Sequence, residues 1–275
     1  MHAQPVIKDY DTIASTTDFA KLQSEGILLT NFNAIRHPSQ PNYIAAAAGD
    51  TLGVTGDGVY HLSADKTSIF DLLEKKGLTW KLYQEDIPSV GYTGAKSGDY
   101  VRKHNPAISF DAIANDPNRA KNIVGADQLQ KDISANTVPN WMFFTPNLKN
   151  DGHDTTAAYA GKWLSNFVSS TLYSNPDFYK NTFILITFDE TASYFSRNKV
   201  WSLLLGNIPT DKKGTTDNTF YSHYSTLNTV ELNWGLGNLG RQDTNKLMSN
   251  VFSYAAGALG YTNMDVPTSS IPKNN

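Results

Sequence analysis

The sequence predicts an α/β fold, a three-layer sandwich in which a mainly parallel sheet carries helices on both faces. Short apolar runs typical of buried strands alternate along the chain with helical segments. This alternation favours parallel strands joined by helices that cover the sheet. Polar clusters follow three of the predicted strands, at 33–42, 147–154 and 189–190. Because ligands bind at the carboxyl ends of strands in such folds, we expect these clusters to meet at one edge.

The composition is that of a globular chain. It has 275 residues, 40% of them hydrophobic, with no composition break and no internal repeat. We therefore predict one domain over 1–263 and a frayed tail over 264–275. A net charge of −3 argues against a nucleic-acid partner, and no apolar run reaches the length of a membrane span. The absence of cysteine excludes disulfides and thiolate metal sites.

Each element is predicted from periodicity and from residues that start or stop helices. Segments with helical spacing, often followed by glycine, are predicted helices: 9–25, from about 40, 65–76, 126–134, 157–172, 222–235 and 245–258. Short apolar runs are predicted strands: 27–32, 78–83, 141–144, 183–188 and 200–205. Glycine-rich stretches at 50–62 and 86–107 are predicted loops, and the length of the second favours a functional role.

Ser39 lies between the first predicted strand and an alanine-rich helix. Serine is a favoured N-cap, and Pro41 suits the first helical turn, where a missing N–H is tolerated. A helix N-terminus also attracts phosphate, and a hydroxyl held there can act as a nucleophile. From this stretch alone both interpretations stand, a simple helix cap and a phosphoryl-accepting serine.

Two acidic clusters are candidates for metal binding or proton transfer. Asp189 and Glu190 directly follow an apolar run, and hard cations prefer such carboxylates. The alternative is an N-cap or a solvated turn. His153 lies between Asp151 and Asp154, either of which could fix its tautomer. The alternative there is an exposed Asp-Gly turn.

Four further polar residues have two interpretations each. His223 opens a predicted helix, as a site residue or as a capping or core histidine. Arg102, Lys103 and His104 in the long loop either meet an anionic substrate or form a solvated charge cluster.

Five stretches together resemble a known family. They are His-Pro-Ser-Gln-Pro-Asn-Tyr (37–43), Tyr-Val-Arg-Lys-His-Asn-Pro (100–106), Thr-Pro-Asn-Leu-Lys-Asn-Asp-Gly-His-Asp (145–154), Thr-Phe-Asp-Glu (187–190) and the run from Ser-His-Tyr-Ser to Leu-Gly-Arg (222–241). In this order they resemble the phosphoesterase family of fungal acid phosphatases, bacterial acid phosphatases and phospholipases C. That family belongs to the alkaline phosphatase-like superfamily, and the resemblance covers roughly residues 10–255.

The resemblance implies roles for individual positions. Ser39 matches the nucleophile that takes up the phosphoryl group and touches the metal, and Asn42 matches an Asn that holds a phosphate oxygen. Asp189 and Glu190 match an acidic pair that binds a divalent metal ion. His153 and His223 match site histidines, which act as phosphate contacts, leaving-group acids or ligands. Supporting and substrate-binding roles fall to Asp151, Asp154, Arg102 and His104.

One family feature has no counterpart. Relatives begin with an apolar strand that ends in a Glu-Asn pair of metal ligands, and the matching positions are Val6 and Ile7. Neither side chain can coordinate a cation. The loss of a central strand would expose its neighbours and leave backbone groups unpaired. The chain is then either a truncated form or a divergent member that binds metal differently or not at all.

The expected function is hydrolysis of a phosphorylated small molecule by an acid phosphatase that uses Ser39 beside a metal. Two alternatives remain open: a phosphodiesterase or phospholipase C, and a catalytically impaired phosphate-binding member. Location stays open as well, because family members are often secreted whereas the start of this chain lacks the apolar core of a signal peptide.

Overall fold

The computed structural model describes residues 9–271, so Val6 and Ile7 lie outside the described residues. The helices are α1 (Tyr10–Ser15), α2 (Thr17–Gln23), α3 (Ser39–Ala48), α4 (Ile69–Lys75), α5 (Asp111–Ala114), α6 (Pro117–Ala120), α7 (Asp127–Ser134), α8 (Ala157–Ser170), α9 (Pro176–Asn181), α10 (His223–Trp234) and α11 (Ser253–Ala256). Within these residues, no helix combines the length and the apolar character needed to cross a bilayer.

The strands form two main sheets and two small ones. They are β1 (Ile27–Leu29), β2 (Phe32–Asn33), β3 (Trp80–Gln84), β4 (Lys96–Ser97), β5 (Tyr100–Val101), β6 (Ile123–Gly125), β7 (Trp141–Thr145), β8 (Phe183–Thr187), β9 (Ser202–Gly206), β10 (Thr215–Asp217) and β11 (Tyr221–Ser222). One main sheet has the order β6-β3-β7 and is entirely parallel. The other has the order β10-β1-β9-β8, in which β9 runs antiparallel to both neighbours.

The prediction of a mainly parallel sheet is therefore confirmed only in part. β1 and β10 are parallel, as are β2 and β11, but β9 reverses direction and the pair β4 and β5 is antiparallel. The direction of a strand depends on the path of the long connections before and after it. The apolar residues of the strand itself do not indicate that direction.

Helices cover both faces of the sheets, as the sequence predicts. Alternate residues of each strand point to opposite faces. Leu203 and Leu205 of β9 pack with α2 and α8, whereas Leu204 packs on the other side with residues around Phe252. In the other main sheet, Leu82 of β3 packs with the apolar sides of α3, α4 and α10. This arrangement gives three layers, with α3 and α10 on the same side.

β7 and β8 are less buried than the other long strands. Every residue of β9 is buried, while most residues of β7 and β8 are only partly covered. Each of the two strands has one hydrogen-bonded neighbour in its sheet within residues 9–271. Both are thus edge strands in the described part of the chain, although their apolar residues contribute to the same core as α8.

Two predicted helices differ from the structure. The helix predicted over 9–25 is divided into α1 and α2, because Thr16 has extended backbone angles (φ −69°, ψ 131°). The helix predicted over 245–258 is wrong apart from α11. There the side chain of Asn250 binds the backbone of Phe220 and Met264, and such side-chain bonds compete with helical ones.

Candidate active site

A small polar cavity of about 80 Å³ lies at the N-terminus of α3. Its lining comes from five separate parts of the chain: the start of α3, the glycine-rich loop, the turn at 102–104, the segment after β7 and the segment after β8. The side chains that matter chemically are Ser39, Asp57, Lys103, His153, Glu190 and Tyr194. The sequence prediction that polar clusters meet at one place is confirmed for Ser39, His153 and Glu190.

Ser39 is the first residue of α3, and Pro38 is its N-cap. Ser39 therefore lies one residue past the capping position. Its Oγ, which is buried, donates to Glu190 Oε1 over 3.0 Å. A serine that only caps a helix would accept a hydrogen bond from the backbone of the first turn. The simple capping interpretation therefore fails, and the hydroxyl faces a carboxylate.

Glu190 joins Ser39 to a second side chain. Its other carboxylate oxygen, Oε2, accepts a very short hydrogen bond from His37 Nδ1. The His37 ring is buried and stacks on Tyr194 with ring centroids 4.2 Å apart. Burial and the charge of Glu190 raise the pKa of Tyr194, whose hydroxyl therefore stays protonated. The stacked ring and the imidazole hold the carboxylate in one orientation toward Ser39.

Asn42 is fully buried and points away from the cavity. Its Oδ1 accepts hydrogen bonds from the N–H groups of Ile35 and Arg36, and its Nδ2 donates to the carbonyls of Arg36 and Pro38. These four bonds stabilise the turn that precedes α3 and contains the cis bond between His37 and Pro38. In this structure the Asn42 amide is already fully used by the backbone, so a phosphate contact by Asn42 stays a prediction.

His153 reaches the cavity from the loop after β7. Its Nδ1 lies 2.6 Å from Asp154 Oδ1, and its backbone N–H donates to Asp151 Oδ1 over 2.7 Å. The carboxylate of Asp154 fixes the ring so that Nε2 is the atom left for chemistry. Asp154 itself is half-exposed and acts on His153, so the structure gives it a supporting role rather than direct contact with the cavity.

His104 is buried, so it is not part of a solvated charge cluster, which was one of its two interpretations from the sequence. Its ring stacks on Tyr43 at 5.1 Å and meets the ring of His153 edge-on at 6.2 Å. Its Nδ1 lies 3.4 Å from Asp151 Oδ2. Burial, followed by the charges of Asp189 and Asp151, raises the pKa of Tyr43 well above its usual value. His104 therefore belongs to a buried polar cluster behind the cavity.

His223 contacts the backbone of one candidate metal ligand. It opens α10, and its Nε2 donates to the carbonyl oxygen of Asp189 over 2.7 Å. Burial lowers the pKa of His223, so the ring is neutral at moderate pH. Its edge packs against the ring of Phe32. In this arrangement His223 positions the segment that carries Asp189 and Glu190, and it does not line the cavity.

Arg102 and Lys103 differ sharply although they are adjacent. The Arg102 guanidinium is buried and donates to the carbonyls of Thr93, Tyr60 and Ile108. It therefore fixes backbone and is not presented to a substrate. Lys103 instead lines the cavity and pairs with Asp57 over 2.8 Å.

Sequence reasoning missed four cavity or supporting residues, namely His37, Tyr43, Asp57 and Tyr194. His37 and Tyr43 are the first and last residues of the motif around Ser39 (37–43), and both could have been predicted from that motif. Asp57 and Tyr194 come from loops without any motif. Only the folded structure brings them to Ser39.

The described residues do not form a complete metal site. Ser39 Oγ and Glu190 lie together, and Asp189 is adjacent in the chain. Yet within 9–271 no group of three or more His, Asp or Glu side chains has a geometry that could hold a metal ion. Both ring nitrogens of His104 and Oδ2 of Asp151 are buried and have no hydrogen-bond partner in this part of the chain. Donors are thus present, but they are not assembled into a coordination shell.

The chain is similar in sequence to acid phosphatases. It is 42% identical over 268 residues to a probable acid phosphatase of Kluyveromyces lactis, a match that covers 94% of this chain and 63% of that relative. The chain therefore spans less than two thirds of the length of this relative.

Solved structures share the fold at low sequence identity. A phosphonate monoester hydrolase of Agrobacterium radiobacter matches with a TM-score of 0.56 at 12% identity, over 96% of this chain and 75% of that one. A protein of the alkaline phosphatase superfamily from Vibrio parahaemolyticus matches with a TM-score of 0.54 at 11% identity, over 83% of this chain and 64% of that one. The fold is thus alkaline phosphatase-like. A model of the phosphoesterase family matches residues 2–237. The chain belongs to the phosphoesterase family.

Proposed function

We propose that this chain hydrolyses phosphate monoesters with Ser39 as the nucleophile. The observation that carries the proposal is the hydrogen bond from Ser39 Oγ to Glu190 Oε1, at a helix N-terminus that opens into a polar cavity. Membership of the phosphoesterase family and the acid phosphatase name of the Kluyveromyces lactis relative support the choice of reaction.

The chemistry follows from the contacts of Ser39. As its Oγ forms a bond to phosphorus, its proton passes to Glu190, which already accepts that hydrogen. The bond from phosphorus to the leaving oxygen breaks, and Nε2 of protonated His153 supplies the proton that this oxygen needs. Water then attacks phosphorus, and the bond from phosphorus to Ser39 Oγ breaks. His153 takes the proton of the water, Glu190 returns its proton to Ser39, and inorganic phosphate leaves.

Two features of the chain stabilise the charge of the transferring group. The N-terminus of α3 has a positive dipole end, and N–H groups of its first turn favour phosphate oxygens. Lys103 adds a positive charge at the cavity wall. Donors that are already in place stabilise developing charge without reorganisation.

A divalent metal ion remains part of the proposal, with Ser39, Asp189 and Glu190 as its ligands. When bound, such an ion would offset negative charge on the phosphoryl group. The residues described do not complete its shell. The metal content of the purified chain, measured by mass spectrometry, tests this part. Stoichiometric metal that is lost in Glu190→Ala supports it, and a chain that turns over substrate with no bound metal contradicts it.

The central test is hydrolysis of an aryl phosphate between pH 4 and pH 9 by the wild-type chain and by Ser39→Ala. We expect the variant to lose activity by at least about 1000-fold, because the covalent route is closed. Ser170→Ala, at an exposed position at the end of α8, is the matched control and should keep full activity. Equal rates for wild type and Ser39→Ala would overturn the role of Ser39. A choline phosphodiester assayed in parallel distinguishes a monoesterase from a phosphodiesterase or phospholipase C.

A second candidate function is phosphate binding without turnover. The incomplete donor set within the described residues favours it. This hypothesis predicts measurable binding of inorganic phosphate and no hydrolysis at any pH. Turnover that depends on Ser39 would exclude it.

A further inference from the structure

Asp57 already holds one of the N–H groups at the N-terminus of α3. Its Oδ1 accepts a hydrogen bond from the backbone N–H of Gln40 over 3.0 Å. Gln40 directly follows Ser39 in the first turn of the helix. A carboxylate of the chain is thus bound beside the nucleophile, at the end of a helix where anions bind favourably.

The first turn of α3 has few donors to share. The N-cap is Pro38 and the third helical residue is Pro41, and neither has an N–H group. Ser39 and Gln40 therefore supply the free backbone donors of this turn. With Gln40 bound to Asp57, one of the two amides nearest to the nucleophile is occupied.

The second oxygen of Asp57 is held as well. Oδ2 accepts a hydrogen bond from Lys103 Nζ over 2.8 Å. Both side chains are largely covered, since 28% of the Asp57 side chain and 18% of the Lys103 side chain are exposed. The backbone that carries Lys103 is anchored, because the neighbouring Arg102 is buried and bound to three carbonyls. Among the cavity-lining residues that the structure describes, Lys103 is the one Lys or Arg.

We propose that Asp57 is an internal competitor of phosphate, because its carboxylate binds both the Gln40 N–H and Lys103 at the wall of the Ser39 cavity. This inference rests on the proposed function, since it assumes that the cavity takes a phosphoryl group. A phosphate that enters must recruit these two donors from Asp57. Asp57 thereby lowers the affinity of the site for phosphate and favours release of the product.

The alternative role of Asp57 has the opposite sign. If Asp57 served only to position Lys103 for substrate, removing its charge would leave the lysine less ordered and weaken phosphate binding. If Asp57 competes, removing its charge frees two donors and removes a repulsive charge, so phosphate binds more tightly. The direction of the change therefore separates the two roles.

The test is calorimetric titration of the purified chain with inorganic phosphate. We expect Asp57→Asn and Asp57→Ala to lower the Kd by about tenfold, since a negative charge next to the bound anion is removed. Lys103→Met should raise the Kd, because it removes the cation and leaves Asp57 in place. Asp65→Asn is the matched control, an exposed loop aspartate that also pairs with a lysine, and it should leave the Kd unchanged. Thermal unfolding of each variant confirms that the fold is kept.

The possible results separate the two proposals. An unchanged or higher Kd in both Asp57 variants overturns the competitor role, while hydrolysis that depends on Ser39 would still support the proposed function. Tighter binding in these variants without any hydrolysis supports the competitor role and overturns the proposed catalysis. No phosphate binding by any form overturns both.

Discussion

Ser39 Oγ and Glu190 Oε1 lie 3.0 Å apart and link the start of α3 to the segment that follows β8. His37 binds the other oxygen of the same carboxylate, so Glu190 is held between the Ser39 hydroxyl and an imidazole. The serine hydroxyl donates to this carboxylate, which is the geometry that the proposed nucleophile and general base require. The positions are 151 residues apart, and only the fold brings them together.

The first prediction concerns Glu190→Gln. The amide keeps the shape of the side chain but cannot take a proton from Ser39, so we expect kcat for an aryl phosphate to fall by roughly 100- to 10 000-fold. Steady-state kinetics measure the loss. Glu25→Gln, at an exposed site, is the control for the chemical change and should leave kcat intact. A Glu190→Gln chain that retains kcat within threefold would exclude Glu190 as the base.

The sequence reveals which residues carry chemistry better than it reveals where their side chains point. Ser39, His153 and Glu190 were expected at the site, and all three line the cavity. Asn42 and Arg102 come from the same motifs, yet their side chains bind backbone. A motif specifies residue types at a strand end, whereas direction depends on local turn geometry that a linear pattern does not contain.

In the fold as well, the sequence predicts which residues form strands better than it predicts how the strands are arranged. Apolar runs locate β3, β7, β8 and β9, because burial requires apolar side chains. The antiparallel direction of β9 is invisible in its own residues, since the path of the chain between β8 and β9 decides it. Asp57 was missed for a related reason, because it comes from a glycine-rich loop that only the folded chain places beside Gln40.

The second prediction separates a structural role of Asn42 from phosphate contact. Asn42→Ala removes four hydrogen bonds and leaves buried backbone groups unpaired, so we expect a loss of about 3 kcal/mol in the free energy of unfolding. Urea denaturation measures it. Asn233→Ala, an exposed residue in α10, is the matched control and should change stability by less than about 0.5 kcal/mol. Full stability combined with weaker phosphate binding would instead restore the role expected from the sequence.

The third prediction compares the adjacent cations Arg102 and Lys103. Arg102→Lys keeps the charge but loses the fork of donors that reaches three carbonyls, so we expect a loss of roughly 2–4 kcal/mol in the free energy of unfolding. Lys103→Arg should leave stability within about 0.5 kcal/mol, because Lys103 makes a partly exposed ion pair. Chemical denaturation of both variants is the measurement. Equal stabilities would mean that the buried guanidinium does not stabilise the fold.

The fourth prediction concerns the pH dependence of stability at Glu231. This residue is buried in α10, and burial together with the nearby Asp243 raises its pKa from 4.5 to about 9. The oxygens of Asp243 accept hydrogen bonds from the N–H groups of Leu239, Gly240 and Arg241, so Glu231 is the member of the pair that holds a proton. Below pH 4.5 both the folded and the unfolded chain bind this proton. Between pH 4.5 and about 9 only the folded chain keeps it, and stability therefore falls as the pH rises.

Glu231→Gln cannot ionise, so the variant should lack this loss of stability. Each unit of pH within the window changes the free energy of unfolding by at most about 1.4 kcal/mol per group. We therefore expect the stability of Glu231→Gln relative to wild type to rise by about 2–3 kcal/mol between pH 5 and pH 7, measured by urea denaturation at several pH values. Glu25→Gln, at an exposed position, should show no such trend. Parallel stability curves for wild type and Glu231→Gln would show that Glu231 is ionised in the folded chain, because a carboxylate charged in both states makes stability independent of pH in this range.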